Sequence, residues 1–357
     1  IMNNTKKFKS LDKYLDFKDV LILPKSSTLN SRSEVNLNKT ITFKNNEKWS
    51  GIPLIAANMT SVGTLDIYSV LSKYNIITAF HKFYKLEDFL KYNQENDEPL
   101  NKDFFMISTG ISNSDYENLV HILDNLDVKF ITIDIANGYI SNFKTFCKNL
   151  RAKYPQKIIC AGNVTTKEGV LDLIDCGVDI IKCGIGGGSA CTTRIQTGIG
   201  MPQFSCILEC VEAAKNSGSF ILSDGGITCP GDLAKSYGAG SDFVMMGGEF
   251  AGHDENPGQL IVDEESGIKY KFFYGMSSSY AMKNNYATNN NTHYRSSEGR
   301  EIKIKYKGPL QTTIQNYLGG LRSTCTYTNS KNLENLNTNC EFIIVNNQYN
   351  TNLVNGK

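Results

Sequence analysis

Eight short, β-rich apolar runs, each followed by a Gly/Asn/Ser cluster and then by a helix-like stretch, recur from residue 52 onward. They occupy 52–57, 76–80, 104–108, 130–134, 157–161, 179–183, 220–223 and 242–246. Alternation of this kind is the pattern of a parallel sheet whose strands are joined by crossover helices. Starts fall roughly 21 to 29 residues apart, one βα unit each, except for a gap of about 41 between the sixth and seventh. Open doubly wound sheets usually have five or six strands, so eight units favour a closed barrel, a single α/β (β/α)8 TIM barrel. In such a barrel every strand ends on one face, and the residues just after the strands build the active site. Here that rim reads Asn58-Met59, His81-Lys82, Thr109-Gly110, Asp134 with Asn137 and Gly138, Gly162-Asn163, the loop from Gly184 to Cys191, Asp224 to Gly226, and Gly247-Gly248.

Residues 1–51 form an N-terminal extension, and 52–357 comprise the barrel with a flap around 280–300 and a C-terminal segment. The polar run Asn284 to Asn291 is expected to be a mobile surface segment, either a lid or an insertion with no role. With 40% hydrophobic and 20% charged residues in a chain of 357, a large buried core is affordable and whole-chain disorder is excluded. A formal net charge of +1 gives no global field to draw nucleic acid or an anionic membrane. Apolar runs such as 130–136 are far short of the roughly 18 residues that span a bilayer. The Asn/Lys-rich amino terminus has no apolar signal core, and ten cysteines with no CxxC pair read as the reduced thiols of a cytoplasmic protein. His81, His121, His253 and His293 are scattered, which argues against a zinc site.

The loop 183–194 packs four glycines and two cysteines into a few positions, letting backbone approach a ligand closely. It is not a dinucleotide fingerprint, because Ser189 stands where the third glycine belongs. Cys191, on that loop beside hydroxyls and Arg194, has surroundings that favour a thiolate nucleophile; the alternative is core filler. Cys147, Cys160, Cys176, Cys206 and Cys210 lie in apolar or helical settings and read as core. Gly225-Gly226 and Gly247-Gly248 follow the seventh and eighth strands, where barrels commonly bind phosphate through backbone amides, although tight turns alone also want glycine. Asp224 is suited to accept hydrogen bonds from ribose hydroxyls. Arg295 and Glu298, by composition, read as a solvated pair.

Several of these stretches resemble one family. The run Gly184-Ile185-Gly186-x-Gly188-Ser189-x-Cys191-Thr192-Thr193-Arg194-x-x-Thr197-Gly198-x-Gly200-x-Pro202-Gln203 is similar to the catalytic cysteine loop of IMP dehydrogenases and GMP reductases. Phe17-Lys18-Asp19-Val20-Leu21, Ser31-Arg32-Ser33, Phe273-Tyr274-Gly275-Met276-Ser277-Ser278 and the stretch from Gly319 to Tyr327 resemble the reductase branch. The likeness spans about residues 14 to 345. About two dozen residues separate the second and third strands, too few for the CBS insertion that dehydrogenases usually carry there. Too little room is also left after Met276 for their long flap.

What the resemblance implies is NADPH-dependent reductive deamination of GMP to IMP and ammonia. Cys191 is implied as nucleophile, forming a thioimidate, with Thr193 and Glu298 protonating the leaving ammonia. The nucleotide is expected at Asp224, Gly225, Gly226, Gly247, Gly248, Gly275, Met276, Ser277, Arg295, Ser296, Ser297 and Gly299. NADPH is expected at Lys82, Asp134, Ile135, Ala136, Ile185, Gly186 and Ser323, with Ser31 and Arg32 reaching in from a neighbouring subunit of a homotetramer. Backbone carbonyls of Gly186, Gly188, Cys191 and Arg194 are implied as potassium ligands. Three positions depart from the family: Gly187 replaces a proline, Thr60-Ser61 stands for Asp-Thr, and Phe83 replaces a histidine. The alternatives are oxidation of IMP by the same barrel, and a catalytically silent purine-nucleotide-binding barrel.

Overall fold

The computed structural model describes residues 13–276, 278 and 299–346. After β1 (Val20–Ile22), an antiparallel hairpin of β2 (Lys39–Thr42) and β3 (Lys48–Gly51) leads into β4 (Leu54–Ala56). Seven parallel strands follow: β5 (Ile77–Phe80), β6 (Phe105–Thr109), β7 (Phe130–Asp134), β8 (Ile158–Val164), β9 (Ile180–Cys183), β10 (Phe220–Asp224) and β11 (Phe243–Met246). With β11 paired back onto β4, the sheet closes into the expected eight-stranded barrel.

Period-two alternation sorts the strand residues between two environments. Ile55, Ile77, Met106, Phe130, Ile158, Ile180, Leu222 and Phe243 point inward and pack together. Phe80, Ile107, Ile131, Ile133, Ile159 and Ile181 point outward against the helices. The described helices are α1 (Leu65–Leu71), α2 (Leu86–Glu95), α3 (Asn113–Asn125), α4 (Ser141–Lys153), α5 (Lys167–Asp175), α6 (Thr193–Thr197), α7 (Gln203–Ala214), α8 (Pro230–Gly238), α9 (Leu310–Tyr327) and α10 (Asn335–Asn339), of which α2, α3, α4, α5 and α7 pack on those residues. Capping is local and chemical: Thr64, Ser112 and Thr166 each accept a backbone N–H from the first turn of α1, α3 and α5.

The β2–β3 hairpin seals the N-terminal end of the barrel. Its Ile41, Phe43 and Trp49 are buried among the inward-facing strand residues, with the Trp49 ring 5.4 Å from Phe243 and its indole N–H donating to the Asp103 carbonyl at 2.8 Å. At the opposite end, β12 (Ile261–Val262), β13 (Lys269–Tyr274) and β14 (Glu301–Lys305) form an antiparallel sheet whose β13–β14 register runs from Tyr270↔Lys305 to Tyr274↔Glu301. The chain thus leaves β13 at Gly275 and re-enters β14 after Gly299, both beside the cleft. β15 (Phe342–Ile344) pairs antiparallel with β1. Among the described residues, no helix is long and apolar enough to cross a membrane.

Candidate active site

A cleft of about 280 Å³ opens at the C-terminal ends of the barrel strands. The cysteine loop crosses it between β9 and α7. Gly184 begins the loop at φ +133°, and a Cβ there would lie 2.2 Å from the Asp224 carbonyl oxygen, so only glycine lets β9 and β10 turn out side by side. Gly225, at φ +96°, would place a Cβ 3.0 Å from the Gly188 nitrogen, so the two glycine loops interlock backbone on backbone.

Cys191 is partly exposed and lines the cleft. Its Sγ donates to the Thr193 hydroxyl at 3.2 Å, and its N–H donates to the Gly188 carbonyl at 3.0 Å. The segment entering β14 is stitched to this loop. Gly299 bridges Cys191 in antiparallel fashion, the Arg300 N–H donates to the Ala190 carbonyl at 3.0 Å, and the Arg300 guanidinium donates to the Ser189 carbonyl at 2.7 and 3.0 Å. Arg194, expected beside the thiol, directs its guanidinium elsewhere: Nη1 lies 3.3 Å from Asp16 and Nη2 donates to the Met201 carbonyl at 2.6 Å. Its charge therefore anchors the loop to the N-terminal segment. Asp16 also accepts the Gln203 backbone N–H at 2.8 Å, and the fully buried Gln203 amide donates to the Cys183 carbonyl at 3.1 Å and to Ser223 Oγ at 3.2 Å.

Inward register places charges in the top layer of the barrel. Lys182 follows Ile180 inward on β9, Asp134 follows Phe130 and Thr132 on β7, and Asp224 follows Leu222 on β10. Lys182 Nζ lies 2.5 Å from Asp134 Oδ1 and 3.1 Å from Asp224 Oδ2. Asn58 donates to Asp134 Oδ2 at 2.9 Å, and Asn163 donates to Asp224 Oδ2 at 2.8 Å and to the Gly184 carbonyl at 2.7 Å. Burial alone would push the Asp134 carboxyl up, but the Lys182 ammonium and the Asn58 amide outweigh it and hold the group below its ordinary value.

Of the residues expected around the nucleotide, Asp224, Gly225, Gly226, Gly247, Gly248, Gly275, Met276 and Gly299 line this cleft. Ser277, Arg295, Ser296, Ser297 and Glu298, with the Asn284 to Asn291 run and residues 280–298 of the expected flap, lie outside the described residues. Of the dinucleotide positions, Asp134, Ile135, Ala136, Ile185 and Gly186 line the same cleft. Lys82 is not part of its wall and pairs with Asp115 at 3.1 Å. Ser31 and Arg32 are exposed at a single 3-10 turn beside α9, the helix that carries Ser323, away from the cleft of their own chain. Thr60, at a departing position, is tied to the end of β13: its hydroxyl donates to Tyr274 at 3.1 Å and its N–H points at the Met276 sulfur at 3.4 Å. Phe83 receives Lys82 over its ring face, 5.5 Å from the centroid.

Sequence reasoning overlooked Lys182 and Asp16. The signal for Lys182 was a lone ammonium inside the apolar strand Ile180-Ile181-Lys182-Cys183, a position where an unpaired charge is untenable. Asp16 carried no comparable signal, because its partners lie about 180 residues away in sequence.

Comparison with known proteins adds the family. The model of the IMP dehydrogenase / GMP reductase domain matches residues 14–351. GMP reductase 2 of Homo sapiens is 49% identical over 95% of this chain and 96% of its own length. Human GMP reductase 1 and GMP reductase of Escherichia coli O139:H28 are each 48% identical, over 95% of this chain and 97% of theirs. With its closed barrel and its cysteine loop at the strand ends, this chain belongs to the IMP dehydrogenase / GMP reductase family.

Proposed function

We propose that this protein is a GMP reductase, an NADPH-dependent oxidoreductase converting GMP to IMP and ammonia. The observation that carries the reading is Cys191, held in the cleft against the Thr193 hydroxyl and flanked by both strand-end glycine pairs, in a chain so similar to relatives named GMP reductase.

The Cys191 thiolate bonds to carbon 2 of the purine as the bond from carbon 2 to the amino nitrogen breaks, leaving a thioimidate. Ammonia leaves only when protonated, so an acid must deliver a proton. Thr193, already hydrogen-bonded to the sulfur, relays it, with Glu298 as its source; Gly299, the next residue in the chain, is bridged to Cys191. NADPH, held on the Asp134 and Ile185 side, would supply a hydride to carbon 2, the carbon–sulfur bond breaking to return the Cys191 thiolate. Gly225, Gly226, Gly247 and Gly248 present backbone to the phosphate and Asp224 accepts from the ribose, with Gly275, Met276, Ser277, Arg295, Ser296, Ser297 and Gly299 completing the grip. Ile185 and Gly186 join Asp134, Ile135 and Ala136 on the dinucleotide side. Lys82 and Ser323 extend that side, and Ser31 and Arg32 serve a neighbouring subunit of a homotetramer, with Arg32 suited to the extra phosphate of NADPH.

Carbonyls of Gly186, Gly188, Cys191 and Arg194 are the oxygen donors that a hard cation such as potassium prefers. Gly186, Gly188 and Cys191 share one stretch of the cleft wall, which supports the set. The barrel plus its extensions is the functional unit, working in the cytoplasm.

Mixing the protein with GMP and NADPH should consume the reduced dinucleotide and release ammonia in equal amounts. No decay with GMP, together with NADH formation from IMP and NAD+, would assign the dehydrogenase reaction instead. Thermal stabilisation by purine nucleotide without turnover in either direction would assign a silent barrel.

A further inference from the structure

Two carboxylates from strands β7 and β10 meet one ammonium from β9 at the floor of the cleft, and Lys182 itself is only 4% exposed. An ammonium is taken this far out of water only where it is paired, and here it is paired twice. The contacts form a continuous line: Asn58 to Asp134, Asp134 to Lys182, Lys182 to Asp224, Asp224 to Asn163, and Asn163 to the carbonyl of Gly184, the first residue of the cysteine loop. Its two acids serve different ligands under the functional reading above, Asp224 the substrate ribose and Asp134 the dinucleotide, and the inference rests on that reading.

We infer that Lys182 is a positioning residue that fixes both carboxylates at once, setting the hold on substrate nucleotide and on dinucleotide through a single ammonium. Both acids line one small cleft, so removing the cation between them leaves like charges to share a low-dielectric floor. One of them then takes up a proton and stops acting as an acceptor for two ligand hydroxyls. Other groups facing this cluster are the Cys160 thiol on β8, beneath Lys182, and Lys82 beyond β5, whose positive charge also bears on Asp134. Neither takes Lys182's place between the carboxylates, because Lys82 is paired with Asp115 and Cys160 is fully buried, its thiol pushed up to about 12 by burial.

The test compares Lys182→Met and Lys182→Arg with wild type in steady-state kinetics over a pH series, alongside calorimetric titration with GMP. Lys182→Met should raise KM for both GMP and NADPH by about tenfold or more and move the acid limb of the kcat/KM profile to higher pH by about one unit or more, one unit being tenfold in proton affinity. Lys182→Arg, which keeps the charge, should restore the profile and most of both KM values. Wild-type KM values with an unmoved acid limb in Lys182→Met overturn the inference, and so does equal damage in both variants with no change of profile. If Lys182→Met does not fold, the double variant Asp134→Asn/Lys182→Met removes the like-charge conflict. It should recover GMP binding but not NADPH binding, and loss of both or neither refutes the role. Should wild type fail to turn over GMP at all, the functional reading falls, while GMP titration of the variants still judges Lys182.

Discussion

Lowering the pH from about 7 to about 5 should destabilise this protein through one imidazole. His81 follows β5, its ring stacked on Tyr84 with centroids 4.1 Å apart and planes 7° from parallel, and its buried Nδ1 has no hydrogen-bond partner among the described residues. Burial pulls its pKa from an ordinary 6.5 down to about 4, against weaker opposing contributions from its own backbone and from Asp88. The folded protein therefore holds the ring neutral where the unfolded chain would already protonate it. Its stabilising contribution is complete above about pH 6.5 and is lost as the pH falls toward 4. The whole gap corresponds to about 3 kcal/mol, of which about 2 kcal/mol is lost by pH 5. Urea unfolding at several pH values, for wild type and for His81→Phe, isolates this share. The phenyl ring keeps the stack and cannot titrate, while His253, which burial also pushes down, is present in both proteins and cancels. The wild type should lose about 2 kcal/mol more than the variant between pH 7 and 5. Equal slopes in the two proteins would refute the argument.

Other perturbations address the loop and the floor. At neutral pH a thiol-alkylating reagent should label Cys191 first, since seven of the ten cysteines are buried and burial pushes up the thiols of Cys229 and Cys340, the latter to about 11. Peptide mapping should also find that GMP slows labelling of Cys191 about tenfold, whereas first labelling elsewhere would contradict the site. Gly225→Ala puts a Cβ against the Gly188 nitrogen at a left-handed φ, costing about 1–3 kcal/mol locally; the expected result is a GMP KM raised about tenfold with the fold retained in circular dichroism. Trp49→Ala empties the barrel floor, far from the cleft, and should cost about 3–5 kcal/mol in denaturant unfolding while leaving KM values unchanged.

The barrel was legible because each strand is a short apolar run, buried on both faces, that is followed by Gly/Asn/Ser-rich residues and then a helix. Only β8 runs appreciably past its expected end, from Ala161 to Val164, since Gly162 and Asn163 look like a turn in sequence. In the structure they remain in the ladder through a register shift against β9, which turns the Asn163 amide onto Asp224. The hairpin that plugs the barrel was read only as an extension, because the value of Trp49 and Phe43 lies in strands far along the chain. Cys191 was visible from its loop, and in the structure it lies on the cleft wall beside the Thr193 hydroxyl. Arg194 misled: adjacency in sequence suggested a charge beside the thiol, but the short α6 helix turns its guanidinium back to Asp16. Local chemistry is written in the sequence, whereas pairings such as Lys182 with two acids from other strands emerge only when the barrel closes.

The most direct measurement is rapid quenching of the protein with GMP in the absence of reduced dinucleotide, followed by mass spectrometry of the peptide carrying Cys191. A purine nucleotide should be found covalently attached at that sulfur, with a matching quantity of ammonia released, and none in Cys191→Ala. Full turnover by Cys191→Ala, or ammonia release with no adduct at any quench time, would contradict covalent catalysis at Cys191.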